Sequence, residues 1–251
     1  MASPTQELPY AAVVLDIEGT TTPVSFVYEV LFPFARAHLA SFLEEHWQSE
    51  GVQSDVAAIR EDAERDVADQ VAGARPLALS EDPAVVRRSV VENVLWQMDN
   101  DRKTTGLKAL QGRIWQHGYA RGELEAIVYE DVARALAAWS AAKVPVFIYS
   151  SGSVAAQMLL FAHTDYGDLS GCLSGYFDTT TGPKRESASY RTIAQVSGHN
   201  PGDVVFVTDV FEEARAAREA GMQAWLIVRA GNAPLPEGHG IALITSLEAL
   251  L

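Results

Sequence analysis

Cysteine is nearly missing: Cys172 is the only one in 251 residues. No internal disulfide can form, which agrees with a reducing compartment. Positive charge is also scarce, since 19 Lys and Arg face 33 Asp and Glu for a formal net charge of −14. That balance repels the phosphate backbone of nucleic acid and the anionic face of a membrane, both of which are bound through Lys and Arg. Neither is expected as a partner, and an anionic substrate has to be met by local positive charge. No apolar run approaches the ~20 residues that span a bilayer. Residues 1–10 lack a basic stretch followed by an apolar one, so the expectation is a cytoplasmic protein.

What is present is the balance of a globular enzyme, 48% hydrophobic and 21% charged, with apolar surface enough for one large core or a core plus an insertion. Short runs rich in Val, Ile and Phe end abruptly in a small polar or acidic residue, the pattern of buried parallel strands feeding a site at the sheet edge. Residues 11–15 run into Asp16, 144–149 into Ser150, and 204–208 into Asp209. A further run, 224–228, follows a helical stretch over 212–220 with Gly221 at the stop position, giving a strand, helix, strand unit. Helices are also predicted over 154–161 and 187–196, so the second half alternates as an open parallel sheet does.

The long segment between the first two strands offers no convincing strand. It offers helical patterns instead, over 25–47, 55–70, 83–99 and 105–119. In 83–99 the residues Val86, Val90, Val94, Leu95 and Met98 recur at spacings of three and four, which predicts one buried face. The expected fold is α/β, with a Rossmann-like parallel-sheet core over 10–24 and 126–251 and a helical cap inserted over 25–125. The turn-rich segment 231–240 reads as a surface loop.

Asp16-Ile17-Glu18-Gly19-Thr20 follows the first strand directly. Carboxyl ends of parallel strands form the ligand crevice. There an ionised Asp16 can attack phosphorus to give an acyl phosphate, and Glu18 can protonate the departing alkoxide and then take a proton from water. Gly19 permits the turn that aims both groups at one point. Ser150-Ser151-Gly152-Ser153 leads into a helix, where hydroxyls and N–H groups suit a phosphate; simple N-capping explains the same serines. Lys184, after a Gly-Pro turn, is placed to neutralise phosphate charge and to keep Asp16 ionised, though a solvated loop lysine reads the same way. Asp209, followed by Glu212 and Glu213, ends the third strand. Two carboxylates ~4 Å apart repel by roughly 4 kcal/mol, so Asp16 and Asp209 at neighbouring strand ends call for a cation, and Mg2+ fits oxygen ligands best. Acids favouring a helix N-terminus explain Glu212 equally well and Glu213 less well. The six histidines are scattered without a zinc-binding spacing and read as surface or structural.

On Leu15 to Pro23, Val30-Leu31-Phe32-Pro33-Phe34, Leu110 to Trp115, Tyr149 to Ser153 and Thr208-Asp209-Val210, the chain resembles the haloacid-dehalogenase superfamily and, within it, the enolase-phosphatase branch of methionine salvage. Glu18 marks that branch, since most of the superfamily has aspartate there; Tyr28 and Pro183 are small departures. The resemblance implies a monomeric Mg2+ enzyme that enolises 2,3-diketo-5-methylthiopentyl-1-phosphate and then dephosphorylates it to the acireductone. It implies Asp16, Glu18 and Asp209 as metal ligands, Glu18 through its backbone carbonyl if need be. Ser150, Ser151 and Lys184 become substrate contacts, with Asp16, Glu18 and Lys184 catalytic. Glu18 and Lys184 both remain open as the enolising base, and Phe26, Phe32 and Trp115 as apolar walls for the methylthio tail. The alternatives are a related phosphatase for another small phosphorylated metabolite, and a silent binding module on the same fold.

Overall fold

The computed structural model describes residues 8–251; the first seven residues of the N-terminal segment considered above lie outside the described residues. In chain order the elements are β1 (Ala12–Leu15), a π-helical turn (Phe26–Leu31), α1 (Phe32–His46), α2 (Glu50–Ala68), α3 (Pro83–Asp99), α4 (Thr105–Ala120), α5 (Glu130–Ala141), β2 (Val146–Tyr149), α6 (Val154–Ala162), β3 (Gly175–Phe177), α7 (Ser187–Ser197), β4 (Val204–Thr208), α8 (Phe211–Glu219), β5 (Gln223–Ile227) and β6 (Ala242–Ile244). Two compact units result. One gathers the described residues up to Glu29 with Glu125–Leu251, and the other is Val30–Leu124.

In the first unit six strands form one parallel sheet in the order β3-β2-β1-β4-β5-β6. β1, β2 and β4 are buried along their whole length, as continuous Val, Ile and Phe runs covered on both faces must be. The chain leaves β1 toward β2 and later returns to β1's other flank with β4, so the strand order reverses between β1 and β4. In an open α/β sheet that reversal opens a crevice at the carboxyl ends of the strands. Register fixes what lines it: Leu15 pairs with Val207, and the Asp16 N–H donates to the Val207 carbonyl at 3.0 Å. Asp16 therefore lies beside Thr208 and Asp209.

Helices α7 and α8 press Tyr190, Ile193, Ala194, Ala216 and Ala217 onto Val14, Tyr149 and Phe206 of the sheet. Tyr190 meets Phe206 edge-on with centroids 4.9 Å apart. Trp139 of α5 is fully buried, and its indole N–H donates to the Tyr10 hydroxyl at 3.0 Å, which in turn donates to the Leu250 carbonyl.

The second unit is helical. Gly106 lets α4 close onto α2, because a Cβ there would stand 2.5 Å from the Ile59 backbone nitrogen. The buried face of α2 carries Asp55, Asp62 and Asp66, an arrangement that burial tolerates only with partners. Arg113 pairs with Asp55, Arg102 pairs with Asp66, and Asp62 accepts from the Gly106 N–H at 2.8 Å. The buried face of α3 differs from the expected one: Val90 and Val94 are inside, but Asn93 and Gln97 join them, while Val86, Leu95 and Met98 are half-buried. The amides fit inside because they are satisfied. Gln97 donates to Asn93 at 2.7 Å and accepts from Thr104 at 2.6 Å, and Asn93 donates to the Arg75 carbonyl at 3.3 Å.

Candidate active site

Asp16 leaves β1 at the strand-order reversal and is 4% exposed. Its Oδ1 accepts from its neighbour's N–H, that of Ile17, at 2.7 Å and from Lys184 Nζ at 2.6 Å. Its Oδ2 lies 3.2 Å from the Thr208 hydroxyl. The turn that follows is tight, with the N–H groups of Thr20, Thr21 and Thr22 all directed at the Ile17 carbonyl. Gly19 has φ +71° and passes so close to Asp209 that a Cβ would stand 2.4 Å from Asp209 Oδ2. Only glycine meets both conditions. Glu18 is half-buried in this turn.

Lys184 reaches in on a loop pinned from two sides. The Tyr149 hydroxyl donates to the Gly182 carbonyl at 2.8 Å, and the Tyr190 hydroxyl donates to the Lys184 carbonyl at 2.6 Å. Besides Asp16, the ammonium contacts Glu213 Oε2 at 2.8 Å. Burial alone would pull this ammonium down, but Asp16 and Glu213 outweigh it and hold it above the usual lysine range. The Thr208 hydroxyl lies 3.1 Å from Glu213 as well as beside Asp16. With one proton it serves one carboxylate at a time.

Burial, and then the charge of Asp16, push the Asp209 carboxyl up to about 7. The same two causes act on Glu213, which also rises to about 7. Asp16 and Glu213 contact the Lys184 ammonium and Asp209 interacts with it electrostatically, so three carboxyl groups share one lysine in a poorly hydrated place. An all-oxygen donor set fits Mg2+. The side-chain oxygens of Asp16, Glu18 and Asp209 do not gather as a trio within 4.8 Å; among the described residues only Glu45, His46 and His117 do. The oxygen donors of Asp16 and Asp209 at the neighbouring strand ends are of the kind that suits Mg2+.

Ser150 is buried, and its Oγ accepts from the Gly152 N–H at 3.3 Å. Ser151 is half-buried, and Ser153 caps α6 by accepting from the Ala156 N–H at 3.3 Å. Asp16, Lys184 and the acids of β4 and α8 are brought into contact or strong electrostatic coupling, while Ser150 and Ser151 stand at the neighbouring strand end of β2. Phe26 belongs to the sheet unit and is buried. Phe32 and Trp115 lie in the helical unit with ring centroids 6.1 Å apart.

Three contributors escape a reading of the sequence, and a fourth, Glu213, is named there without its partner Lys184. Glu213 stands one helical turn after Asp209, a spacing that could have marked it. Gln157 donates to the Gly152 and Phe177 carbonyls at 2.8 and 2.9 Å and anchors the serine loop. Asn232 comes from the segment expected to be a surface loop, yet donates to the Gly19 carbonyl at 3.0 Å. Arg229 pairs with Asp131 at 2.9 Å and donates to the Thr20 carbonyl at 3.2 Å. Nothing in their local patterns separates the last three from ordinary polar residues.

This is an open α/β sheet with an acid at each of two adjacent strand ends, where such sheets bind ligands. The chain belongs to the haloacid dehalogenase-like hydrolase family, whose model matches residues 10–221. It is similar to the probable bifunctional methylthioribulose-1-phosphate dehydratase/enolase-phosphatase E1 of Arabidopsis thaliana, 47% identical over 247 residues, or 98% of this chain and 49% of that one. The Populus trichocarpa protein of the same name is 48% identical over 95% of this chain and 46% of its own length. The chain spans about half the length of the curated relatives it matches. Among solved structures, the UTR4 protein (Unknown transcript 4 protein) of Saccharomyces cerevisiae has a TM-score of 0.75 and 31% identity over 94% of this chain and 98% of that one. Among the described residues no helix is long and apolar enough to cross a membrane.

Proposed function

We propose that this chain is an enolase-phosphatase acting in the cytoplasm as a monomer on 2,3-diketo-5-methylthiopentyl-1-phosphate, with Asp16 as nucleophile. The observation that supports this most is the pairing of Asp16 with Lys184 at the strand-order reversal, beside Asp209. The names of the relatives support the substrate class, and the match of the hydrolase family model fits this chain to the phosphatase part of those names.

In the phosphatase step the Asp16 carboxylate attacks phosphorus as the P–O bond to the substrate breaks, and Glu18 gives its proton to the leaving oxygen. Glu18 then takes a proton from water, which attacks phosphorus and breaks the acyl phosphate, returning Asp16 and releasing phosphate. Lys184 and the Ile17 N–H hold Asp16 oriented through its Oδ1. The hydroxyls and N–H groups of Ser150 and Ser151 ahead of α6 bind the phosphoryl oxygens. Asp16, Asp209 and the Glu18 carbonyl would hold Mg2+, which supplies positive charge for the phosphate and for an enolate oxygen.

The enol step removes a proton next to a carbonyl. Lys184, clamped as an ammonium between Asp16 and Glu213, has no lone pair to accept it. Glu18 is therefore the base. The test is to follow the diketone phosphate spectroscopically with Mg2+ while measuring released phosphate. Enol that appears ahead of phosphate supports the reading. Phosphate release without enol, or turnover confined to other phosphate esters, points to a related phosphatase for a different metabolite.

A further inference from the structure

The scattering of histidines along the chain does not survive folding. In the helical unit the last turns of α1 and α4 bring Glu45, His46 and His117 together, with their ligand atoms all within 4.8 Å of one another. The imidazole rings of His46 and His117 have centroids 4.9 Å apart at 69°. We propose that these three side chains form a second metal site, for a borderline transition-metal ion of the zinc type.

Four observations support it independently of the acids around Asp16. The donor set is two imidazole nitrogens and a carboxylate, which suits zinc-like ions with a fourth position open to water and does not suit Mg2+. His46 Nε2 is buried with no hydrogen-bond partner and stands 3.8 Å from Glu45 Oε1, beyond hydrogen-bond reach; a ligated ion would satisfy it. Both histidines occupy the carboxyl ends of their helices, where the backbone dipoles favour a cation. Phe42 flanks both rings, at 4.6 and 5.6 Å, and shields that side from water. The nearby Arg121 does not oppose a cation strongly, because Glu123 pairs with it at 2.7 Å.

Bond lengths of about 2.0–2.2 Å around a tetrahedral ion place donors about 3.4 Å apart. The three groups thus have to draw together by about 1.5 Å at most. Glu45, with an exposed side chain, can swing in at little cost. A bound ion would tie the end of α1 to the end of α4.

The test uses the full chain, stripped with chelator, dialysed into excess Mg2+, and titrated with Zn2+ by calorimetry and with Co2+ by visible absorption. The expected result is uptake that weakens by at least about tenfold in His46→Gln and in His117→Gln. The Co2+ bands of a four-coordinate site should also be lost in those variants, with Mg2+-supported turnover unchanged. A Zn2+-dependent rise in melting temperature should vanish with them. Should either variant fail to fold, Glu45→Gln on the exposed side chain carries the same expectation. Uptake of equal affinity in all three variants would assign the ion to the Asp16 acids and overturn the proposal, as would no uptake at millimolar Zn2+.

Discussion

Lys184 Nζ stands between two buried carboxylates, 2.6 Å from Asp16 Oδ1 and 2.8 Å from Glu213 Oε2. One ammonium from a loop thereby links the end of β1 to the first turn of α8. Lys184→Met leaves both carboxylates without it. Removing one partner of a buried ion pair costs about 3–5 kcal/mol, and losing a preorganised charge at phosphorus costs about 10²–10³ in turnover. Melting in chelator and steady-state kcat with Mg2+ measure the two. A variant with parent stability and turnover would show that the contact is incidental.

The raised carboxyl of Asp209 sets a pH dependence. A carboxyl lifted to about 7 on folding binds protons more tightly folded than unfolded. Its contribution is fully present below the unfolded value of about 3.9 and fades as pH rises through about 7. Metal-free protein should accordingly lose stability across that window. Mg2+, competing with the proton, should restore stability most at the upper end and release protons on binding. Melting curves from pH 4 to 8 with chelator and with Mg2+ check this, and parallel curves would refute it.

Two glycines of α4 should respond with opposite sign. Gly106→Ala drives a Cβ to 2.5 Å from the Ile59 backbone and should cost about 1–3 kcal/mol by overpacking. Gly112→Ala meets nothing within 4 Å and should gain roughly 0.5–1 kcal/mol, because glycine is the poorer helix former. Chemical denaturation of both variants measures the difference. Equal effects would mean that the approach of α2 to α4 is not as tight as described.

The central strands were legible because burial on both faces leaves an uninterrupted apolar run, and β4 has the bounds expected for it. Three elements were not. β3 is three residues beginning with glycine, too short for any period to emerge. β6 is partly exposed and follows a turn-rich loop. In α5 the stripe Val132, Leu136 and Trp139 is diluted by alanines, which mark no face by themselves. At the candidate site, Asp16, Lys184 and Asp209 could be singled out because each follows a strand or a turn with a chemical use. Glu213 stood out only as an acid following Asp209; its pairing with Lys184 was not legible, since only packing turns its side chain that way.

Loss of the Gly19 turn should separate geometry from charge. Gly19→Ala forces a side chain onto Asp209 Oδ2 at φ +71°, so Mg2+ affinity and turnover should both fall while every proposed catalytic side chain remains. Calorimetry with Mg2+ and kcat measure them. Parent values for both would mean that the turn does not shape the acids around Asp16.

The most direct test of the nucleophile is chemical trapping. A single turnover is quenched in acid, reduced with borohydride and digested for mass spectrometry. An acyl phosphate on Asp16 would be converted to homoserine at position 16, with no such product in Asp16→Asn, which should also lack turnover. Reduction at another residue, or retained turnover in Asp16→Asn, would contradict the assignment.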